Sequence, residues 1–174
     1  MTADICAYLG ASVDGYIADQ WESVQFLEET EGFGDNGYAQ FYDSVDVVIM
    51  GGKTFRWILD NEVKENPYKD KRVIVISSQE IPIDWDIEFY NGDLKQLFEQ
   101  FHNEEKVWIV GGGNLISKLM NLNILTSLQL TVAPTILGQG VSLFNDINEK
   151  VDLKLRNVTQ YNQFVELDYM INYR

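Results

Sequence analysis

Three short glycine-containing segments each follow an apolar stretch of the chain and could hold a charged ligand. They are Ser12-Val13-Asp14-Gly15, Met50-Gly51-Gly52-Lys53-Thr54 and Val110-Gly111-Gly112-Gly113. Glycine lets the backbone approach a ligand closely, and a helix that starts after such a turn points its N–H groups at anions. A single segment of this kind is explained as well by a tight turn. Three together, two of which open a helix, favour a nucleotide site.

Two common phosphate-binding motifs do not fit these segments. Gly52-Lys53-Thr54 is similar to the end of a Walker A loop, but that loop needs glycine where the chain has Val47. The pair Gly111 and Gly113 would need a third glycine at Ile116 to match the Rossmann fingerprint. The sequence therefore predicts neither a P-loop nor a Rossmann dinucleotide site.

Apolar runs and periodic patterns predict the elements that position these segments. Continuous apolar runs predict buried strands at 5–12, 46–50, 72–76 and 107–110. Helices are predicted at 22–29, 38–43, 54–59, 93–102 and 115–120. After residue 124 the apolar period changes to two, at 128–132 and again at 165–171. Strands that alternate with helices and then give way to a strand-rich tail predict an open α/β sheet, parallel first and antiparallel in its last hairpin.

Charge and composition argue against several classes of protein. The 174 residues carry 13 Lys+Arg against 27 Asp+Glu, a formal net charge of −14, so no basic face for nucleic acid is expected. The sequence has no apolar run of about 18 residues that would span a membrane. Cys6 and His102 are each the only residue of their type, which disfavours a disulfide, a metal cluster and a Ser-His-Asp triad. We expect one cytoplasmic domain over residues 1–174, with no metal and no affinity for nucleic acid or membranes.

Five segments, in order, resemble the dihydrofolate reductase superfamily. The resemblance is greatest to the branch that includes the C-terminal reductase domain of the bacterial riboflavin-biosynthesis deaminase/reductase. The segments are 11–18 (ASVDGYIA), 48–54 (VIMGGKT), 74–78 (IVISS), 109–113 (IVGGG) and 133–140 (APTILGQG) followed by Leu143-Phe144. The resemblance implies a three-layer α/β fold. Its sheet would be mixed, mostly parallel and eight-stranded, with an antiparallel C-terminal hairpin and helices on both faces.

The resemblance also implies a reductase that binds NADPH, with NADH as the alternative. In such enzymes the nicotinamide supplies a hydride and the protein supplies placement and electrostatics. The family's cofactor-binding motifs match four groups of residues. The nicotinamide and its ribose would lie along Gly10, Asp14, Gly15, Ile17 and Ala18. The phosphate end would contact Gly51, Lys53 and Thr54, and the pyrophosphate would contact Gly111, Gly112 and Gly113. The adenine ribose would contact Ser77 and Ser78.

Three residues are implied on the substrate side. Asp35 stands at the same distance before Gly51 as the acid of dihydrofolate reductases and would donate the proton. Aspartate is also a favoured helix N-cap, so a capping role for Asp35 stays open. Thr131 matches a threonine near the pterin, with an ordinary strand threonine as the alternative. Trp21 follows the loop that would cover the nicotinamide.

Two positions depart from the family pattern. Gly52 replaces an arginine that often neutralises the 2′-phosphate of NADPH, for which Lys53 or Arg72 could substitute. Val110 replaces a glutamate that helps hold the substrate of the riboflavin-pathway reductases. We therefore expect a homodimer that reduces a small pteridine-like or aminopyrimidine-like heterocycle with NADPH. The alternatives are the riboflavin-pathway 5-amino-6-(5-phosphoribosylamino)uracil reductase and a nucleotide-binding protein without catalysis.

Overall fold

The computed structural model describes residues 3–61 and 64–173, and eight of its strands pair into one sheet. In chain order the elements are β1 (Asp4–Ala11), β2 (Tyr16–Ala18), α1 (Gln25–Glu28), α2 (Tyr38–Asp43), β3 (Val47–Gly51), α3 (Gly52–Asp60), β4 (Arg72–Ile76), β5 (Glu88–Tyr90), α4 (Leu94–Phe98), β6 (Lys106–Gly111), α5 (Gly113–Asn121), β7 (Ser127–Val132), β8 (Val141–Ser142), β9 (Asp152–Tyr161) and β10 (Phe164–Asn172). The order across the sheet is β5-β4-β3-β6-β1-β7-β10-β9, and β2 pairs with β8 as a separate ribbon.

The sheet is mixed in the way that the sequence predicts. Neighbouring strands are parallel from β5 to β7. β10 is antiparallel to both of its neighbours, β7 and β9. The expected mostly parallel sheet with an antiparallel C-terminal hairpin is therefore confirmed. Its central parallel strands are apolar on both faces because both faces are covered by helices.

The helices cover both faces of the sheet and complete the three layers. α2 and α3 bury Phe41, Phe55 and Ile58 against one face. α4 and α5 bury other apolar side chains, among them Leu97 and Ile116, against the opposite face. No helix among the described residues is long and apolar enough to cross a lipid bilayer.

Some elements differ from the sequence prediction in length, and β9 was not predicted. The helices predicted at 22–29 and 93–102 are confined to α1 and α4, of four and five residues. The sequence of β9 does not alternate with a period of two, because a bulge opposite Asp168 and Tyr169 shifts its register on β10. Its apolar residues therefore do not keep a strict alternation, and nearly all of the strand is exposed or half-exposed.

The edge strand β9 carries an apolar strip on one face. Leu153, Leu155 and Val158 lie opposite Ile171, Tyr169 and Leu167 of β10, on the α5 side of the sheet. Their exposed fractions are 40%, 51% and 53%. We call these three β9 residues the apolar strip.

Candidate functional site

The carboxyl ends of β3 and β6 mark the point where the crossovers of the sheet diverge. These two strands are parallel neighbours. The chain leaves β3 through α3 toward β4 on one side, and it leaves β6 through α5 toward β7 on the other. α3 and α5 also pack on opposite faces of the sheet. Ligands of open α/β sheets bind in the crevice that such a switch point creates.

Both helices at this crevice begin directly after a glycine. Gly51 precedes α3 and Gly112 precedes α5, and no described side chain caps either helix. The first N–H groups of each helix therefore have no intrahelical partner, and the helix dipole makes both ends positive. The two starts lie close together, since a Cβ built on Gly51 would be 3.9 Å from the carbonyl oxygen of Gly111. The crevice is thus lined by backbone donors suited to an anion.

The turn between β6 and α5 is open on its ligand side. A Cβ built on Gly111 or Gly112 would meet only Thr54 Oγ1 within 4 Å, at 3.7 and 3.5 Å. The peptide bond that joins the two glycines is cis. The dihedral angles of Gly112, φ −86° and ψ −169°, are extended backbone that any residue adopts. A methyl group at position 112 would therefore occupy the crevice without meeting protein backbone.

The third glycine of this turn is packed against the protein. A Cβ on Gly113 would lie 2.5 Å from the Ser142 carbonyl oxygen and 2.8 Å from that of Leu143. The backbone N–H of Leu143 also donates to the Gly15 carbonyl at 2.9 Å. These contacts bring the turn after β1, the strand β8 and the start of α5 together.

The ends of β3 and β4 place Gly52 beside Ser77, and Ser78 follows in the same turn. A Cβ on Gly52 would lie 3.0 Å from Ser77 Oγ and 3.7 Å from Arg56 Nη1. Within 3–61 and 64–173, Arg56 makes no ion pair and no side-chain hydrogen bond. The sequence analysis did not identify Arg56. The available signal was helical spacing, because a residue four positions after Gly52 lies on the same face of α3.

The other two candidate cations are already paired. Lys53 Nζ lies 3.3 Å from the Glu22 carboxylate, and both side chains are exposed. Trp57 Nε1 donates to the Glu22 carbonyl at 3.2 Å, so the loop that carries the exposed Trp21 is tied to α3. Arg72 begins β4 and binds Glu88 through two hydrogen bonds. It lies at the opposite end of β4 from Ser77, so the idea that Arg72 could replace the missing arginine is wrong.

Asp14 uses its carboxylate to hold two loops together. It accepts hydrogen bonds from Ser12 Oγ at 2.6 Å, from the Gly138 N–H at 2.8 Å and from the Leu137 N–H at 3.1 Å. The Ser12 hydroxyl first, and then these N–H groups, hold the pKa of Asp14 below its ordinary value. This bonding makes Asp14 a support of the turn after β1, and its contact with a cofactor stays a prediction.

The predicted nicotinamide residues lie on and after β1. Gly10 pairs with Thr131 of β7, and a Cβ on it would lie 3.0 Å from two side-chain carbons of Leu27. Ile17 and Ala18 belong to β2, which β8 holds beside the start of α5. All of the glycine, serine and threonine positions predicted from the motifs thus lie along the carboxyl edge of the parallel strands.

Asp35 lies before α2, where it caps the backbone. Its two carboxylate oxygens accept from the N–H groups of Gly37 and Ala39 at 2.9 and 2.8 Å. The side chain is exposed. A role as proton donor stays a prediction.

Comparison with known proteins assigns this arrangement to a family. Residues 4–167 match the model of the RibD C-terminal domain. The chain belongs to the RibD C-terminal family. It is also 33% identical over 166 residues to the uncharacterized protein YwjB of Bacillus subtilis (strain 168), which covers 94% of this chain and 95% of YwjB.

Solved structures share the fold over nearly the whole chain. A protein from Shewanella sp. PV-4, provisionally named a riboflavin biosynthesis protein, superimposes with a TM-score of 0.86 at 21% identity, over 99% of this chain and 100% of that one. A pyrimidine reductase-like protein from Corynebacterium diphtheriae has a TM-score of 0.73 at 15% identity, over 99% and 93% of the two chains. The dihydrofolate reductase-like fold is thereby confirmed, and membership of the RibD C-terminal family supports a reductase role.

The contrast between Gly112 and Gly113 gives a matched pair of alanine variants. We expect Gly112→Ala to fold with a Tm close to that of the wild type and to bind NADPH about tenfold more weakly, or ~1.4 kcal/mol, because its methyl group fills the crevice. Gly113→Ala should lose about 1–3 kcal/mol of stability, since its methyl group meets two backbone carbonyls. Melting curves and calorimetric titration of the folded variants check both. Wild-type affinity in Gly112→Ala would remove this turn from the cofactor site.

Proposed function

We propose that the chain is an NADPH-dependent reductase of a pteridine-like or aminopyrimidine-like heterocycle. The observation that carries the proposal is the pair of uncapped helix starts at the switch point between β3 and β6. Membership of the RibD C-terminal family supports it. The anion would be held mainly by backbone N–H groups, which suits a chain with a formal net charge of −14.

The residues along the crevice fit a dinucleotide. The open space at Gly111 and Gly112 is a cradle for a pyrophosphate, with Thr54 Oγ1 beside it. Gly10 and Thr131 lie at the far end, where the ring that supplies the hydride would be placed. When bound, NADPH supplies a hydride from the C4 position of its nicotinamide. The protein's own part is to orient that ring and to exclude water around it.

Arg56 is the cation that we assign to the 2′-phosphate. Its Nη1 lies 3.7 Å from a Cβ built on Gly52, the position at which the family often has arginine, and the same Cβ lies 3.0 Å from Ser77 Oγ. It has no competing carboxylate among the described residues, whereas Lys53 is paired with Glu22. Arginine suits phosphate because its planar fork can donate two parallel hydrogen bonds.

A second candidate function is the riboflavin-pathway reduction of 5-amino-6-(5-phosphoribosylamino)uracil. The match to the RibD C-terminal domain favours it. The side chain at position 110 argues against it, since Val110 has no carboxylate that could accept hydrogen bonds from the substrate's ribose. A third possibility is a nucleotide-binding protein without catalysis.

Thermal shift and turnover test the proposal together. NADPH at about 100 times its Kd should add ~2.7 kcal/mol to the folded state, which raises the Tm by about 5–10 °C in a chain of this size. The folded protein should then oxidise NADPH in the presence of 6-methyl-7,8-dihydropterin or the aminouracil ribotide. Reduction of the dihydropterin would indicate a pteridine substrate, and reduction of the ribotide would indicate the riboflavin-pathway substrate. Stabilisation without oxidation by either acceptor would indicate a binding protein, and no shift with NADPH or NADH would contradict the nucleotide site.

Two cations on α3 provide a test of cofactor choice. We expect Arg56→Ala to weaken NADPH binding by about 1 kcal/mol, roughly fivefold, because it removes one partly exposed, charge-assisted contact. NADH, which has no 2′-phosphate, should bind as before. Lys53→Ala removes the same charge from the same helix and is the matched control. A selective loss of NADPH affinity in Lys53→Ala, with none in Arg56→Ala, would assign the phosphate to Lys53 instead.

We also propose that the chain is a homodimer in solution, as the resemblance implies. The apolar strip on β9 supports this, since no described element of the same chain covers it and uncovered strand edges invite pairing. Light scattering should give twice the 20.0 kDa mass of the chain. Leu155→Glu should give the monomer, whereas Lys154→Glu, on the opposite face of β9, should stay dimeric. A monomeric wild type would refute the proposal.

A further inference from the structure

A row of polar side chains crosses the sheet face that α2 covers. Because paired residues share a face, the registers align Gly10 of β1, Thr131 of β7 and Glu166 of β10. Tyr8 and Gln129 lie side by side in the next row, and Tyr8 stacks on Phe41 of α2 with ring centroids 3.8 Å apart. Glu166 thus stands on the same face as Gly10, with Thr131 between them.

Glu166 is buried and has no counter-ion among residues 3–61 and 64–173. It is 8% exposed and is the one charged residue in the buried class among the described residues. The Gln129 amide donates to its carboxylate at 3.4 Å. The nearest arginine on β9, Arg156, is paired with Asp168 at 2.8 Å. A buried carboxyl without a cation is favoured in its protonated form, since a buried charge is costly.

The groups that face Glu166 make the protonated form still more favourable. Burial first, and then the charge of Asp168 on its own strand, raise the pKa of Glu166, while the Gln129 hydrogen bond opposes this shift. The other titratable groups of this cluster are the phenols of Tyr8 and Tyr161 and the carboxylate of Asp35, which acts on both phenols. Tyr8 on β1 and Tyr161 on β9 have their pKa raised by burial first and then by the charges of Glu166 and Asp35.

We propose that Glu166, which shares a row of the sheet with Thr131 and Gly10, is the acid that protonates the acceptor heterocycle. This inference rests on the proposed function. The carboxyl proton of Glu166 goes to the nitrogen of a ring C=N bond, while a hydride from a reduced nicotinamide dinucleotide goes to the carbon. The bond becomes CH–NH, the dinucleotide is oxidised, and the Glu166 carboxylate then recovers a proton from water.

Asp35, the acid suggested by the family resemblance, fits this role less well. Both of its carboxylate oxygens already accept backbone hydrogen bonds, from Gly37 and Ala39. The side chain is also exposed to water, whereas Glu166 is buried. Asp35 is near enough to influence Tyr8 and Tyr161, so it is the natural comparison residue.

The variant Glu166→Gln separates a chemical role from a structural one. Because the folded-state pKa of Glu166 is raised, its contribution to stability is full below the ordinary glutamate pKa of about 4.3 and is lost as the pH rises through the folded value. Glutamine is a neutral isostere whose amide oxygen can still accept from Gln129. Glu166→Gln should therefore fold normally and lack this loss of stability with rising pH, so a loss of turnover cannot be attributed to unfolding.

The experiment compares the wild type with Glu166→Gln and Asp35→Asn. We expect all three to bind NADPH equally by calorimetry. In Glu166→Gln, kcat/KM for 6-methyl-7,8-dihydropterin should fall at least about 100-fold, and the decline of the rate as the pH rises through the folded-state pKa of Glu166 should disappear. In Asp35→Asn the decline of the rate with rising pH should persist, because Glu166 is still present. Loss of rate in Asp35→Asn but not in Glu166→Gln would overturn the proposal.

Carbon-13 NMR of the glutamate carboxyl carbons gives a readout that needs no turnover. The line that Glu166→Gln removes should titrate above the ordinary glutamate range in the cofactor-free protein and should shift when 6-methylpterin is added. A line that titrates normally or ignores 6-methylpterin overturns the role of Glu166. The line of Glu166 could shift with 6-methylpterin while calorimetry shows no NADPH binding by the wild type. That result would contradict the proposed reductase function but would still support contact between Glu166 and the heterocycle.

Discussion

The parallel pairing of β3 with β6 is the constraint on which the rest of the site depends. Right-handed crossovers oblige a chain that moves in opposite directions from two neighbouring strands to place its next helices on opposite faces. α3 and α5 obey this rule, and their first turns therefore diverge around one crevice. The packing of Phe55 on one face and Ile116 on the other fixes the two helix starts. The pair of uncapped helix starts around this crevice is thus a consequence of burying the sheet.

The strong negative charge of the chain makes this backbone site important. At physiological ionic strength charges are screened beyond about 8 Å, so a distant acidic surface acts mainly on the approach of a phosphate. Within the crevice the helix dipoles and a guanidinium such as that of Arg56 act at contact distance. A few local donors can therefore hold an anion on a molecule whose formal net charge is −14.

The glycine turns at the carboxyl ends of the central strands could be predicted from sequence because their signals are local. An apolar run followed by glycine marks the end of each central strand, and β4 and α2 lie where the sequence places them, at Arg72–Ile76 and Tyr38–Asp43. The edge strand β9 could not be predicted in this way, since its bulge breaks the alternation and both of its faces are largely exposed. Arg56 was missed because a helical neighbour of glycine carries no motif of its own.

Glu166 was missed for a different reason, which concerns how strand pairing brings distant residues together. Glu166 comes beside Thr131 only through antiparallel pairing of β10 with β7, and Thr131 comes beside Gly10 only through parallel pairing of β7 with β1. These three residues have no fixed spacing in the chain. Sheet hydrogen bonds involve only the backbone, so side chains at such positions can change without disturbing the strands. Backbone pairing therefore brings Gly10, Thr131 and Glu166 together, whereas the chemistry of this row is decided by side chains that the sheet leaves free to differ.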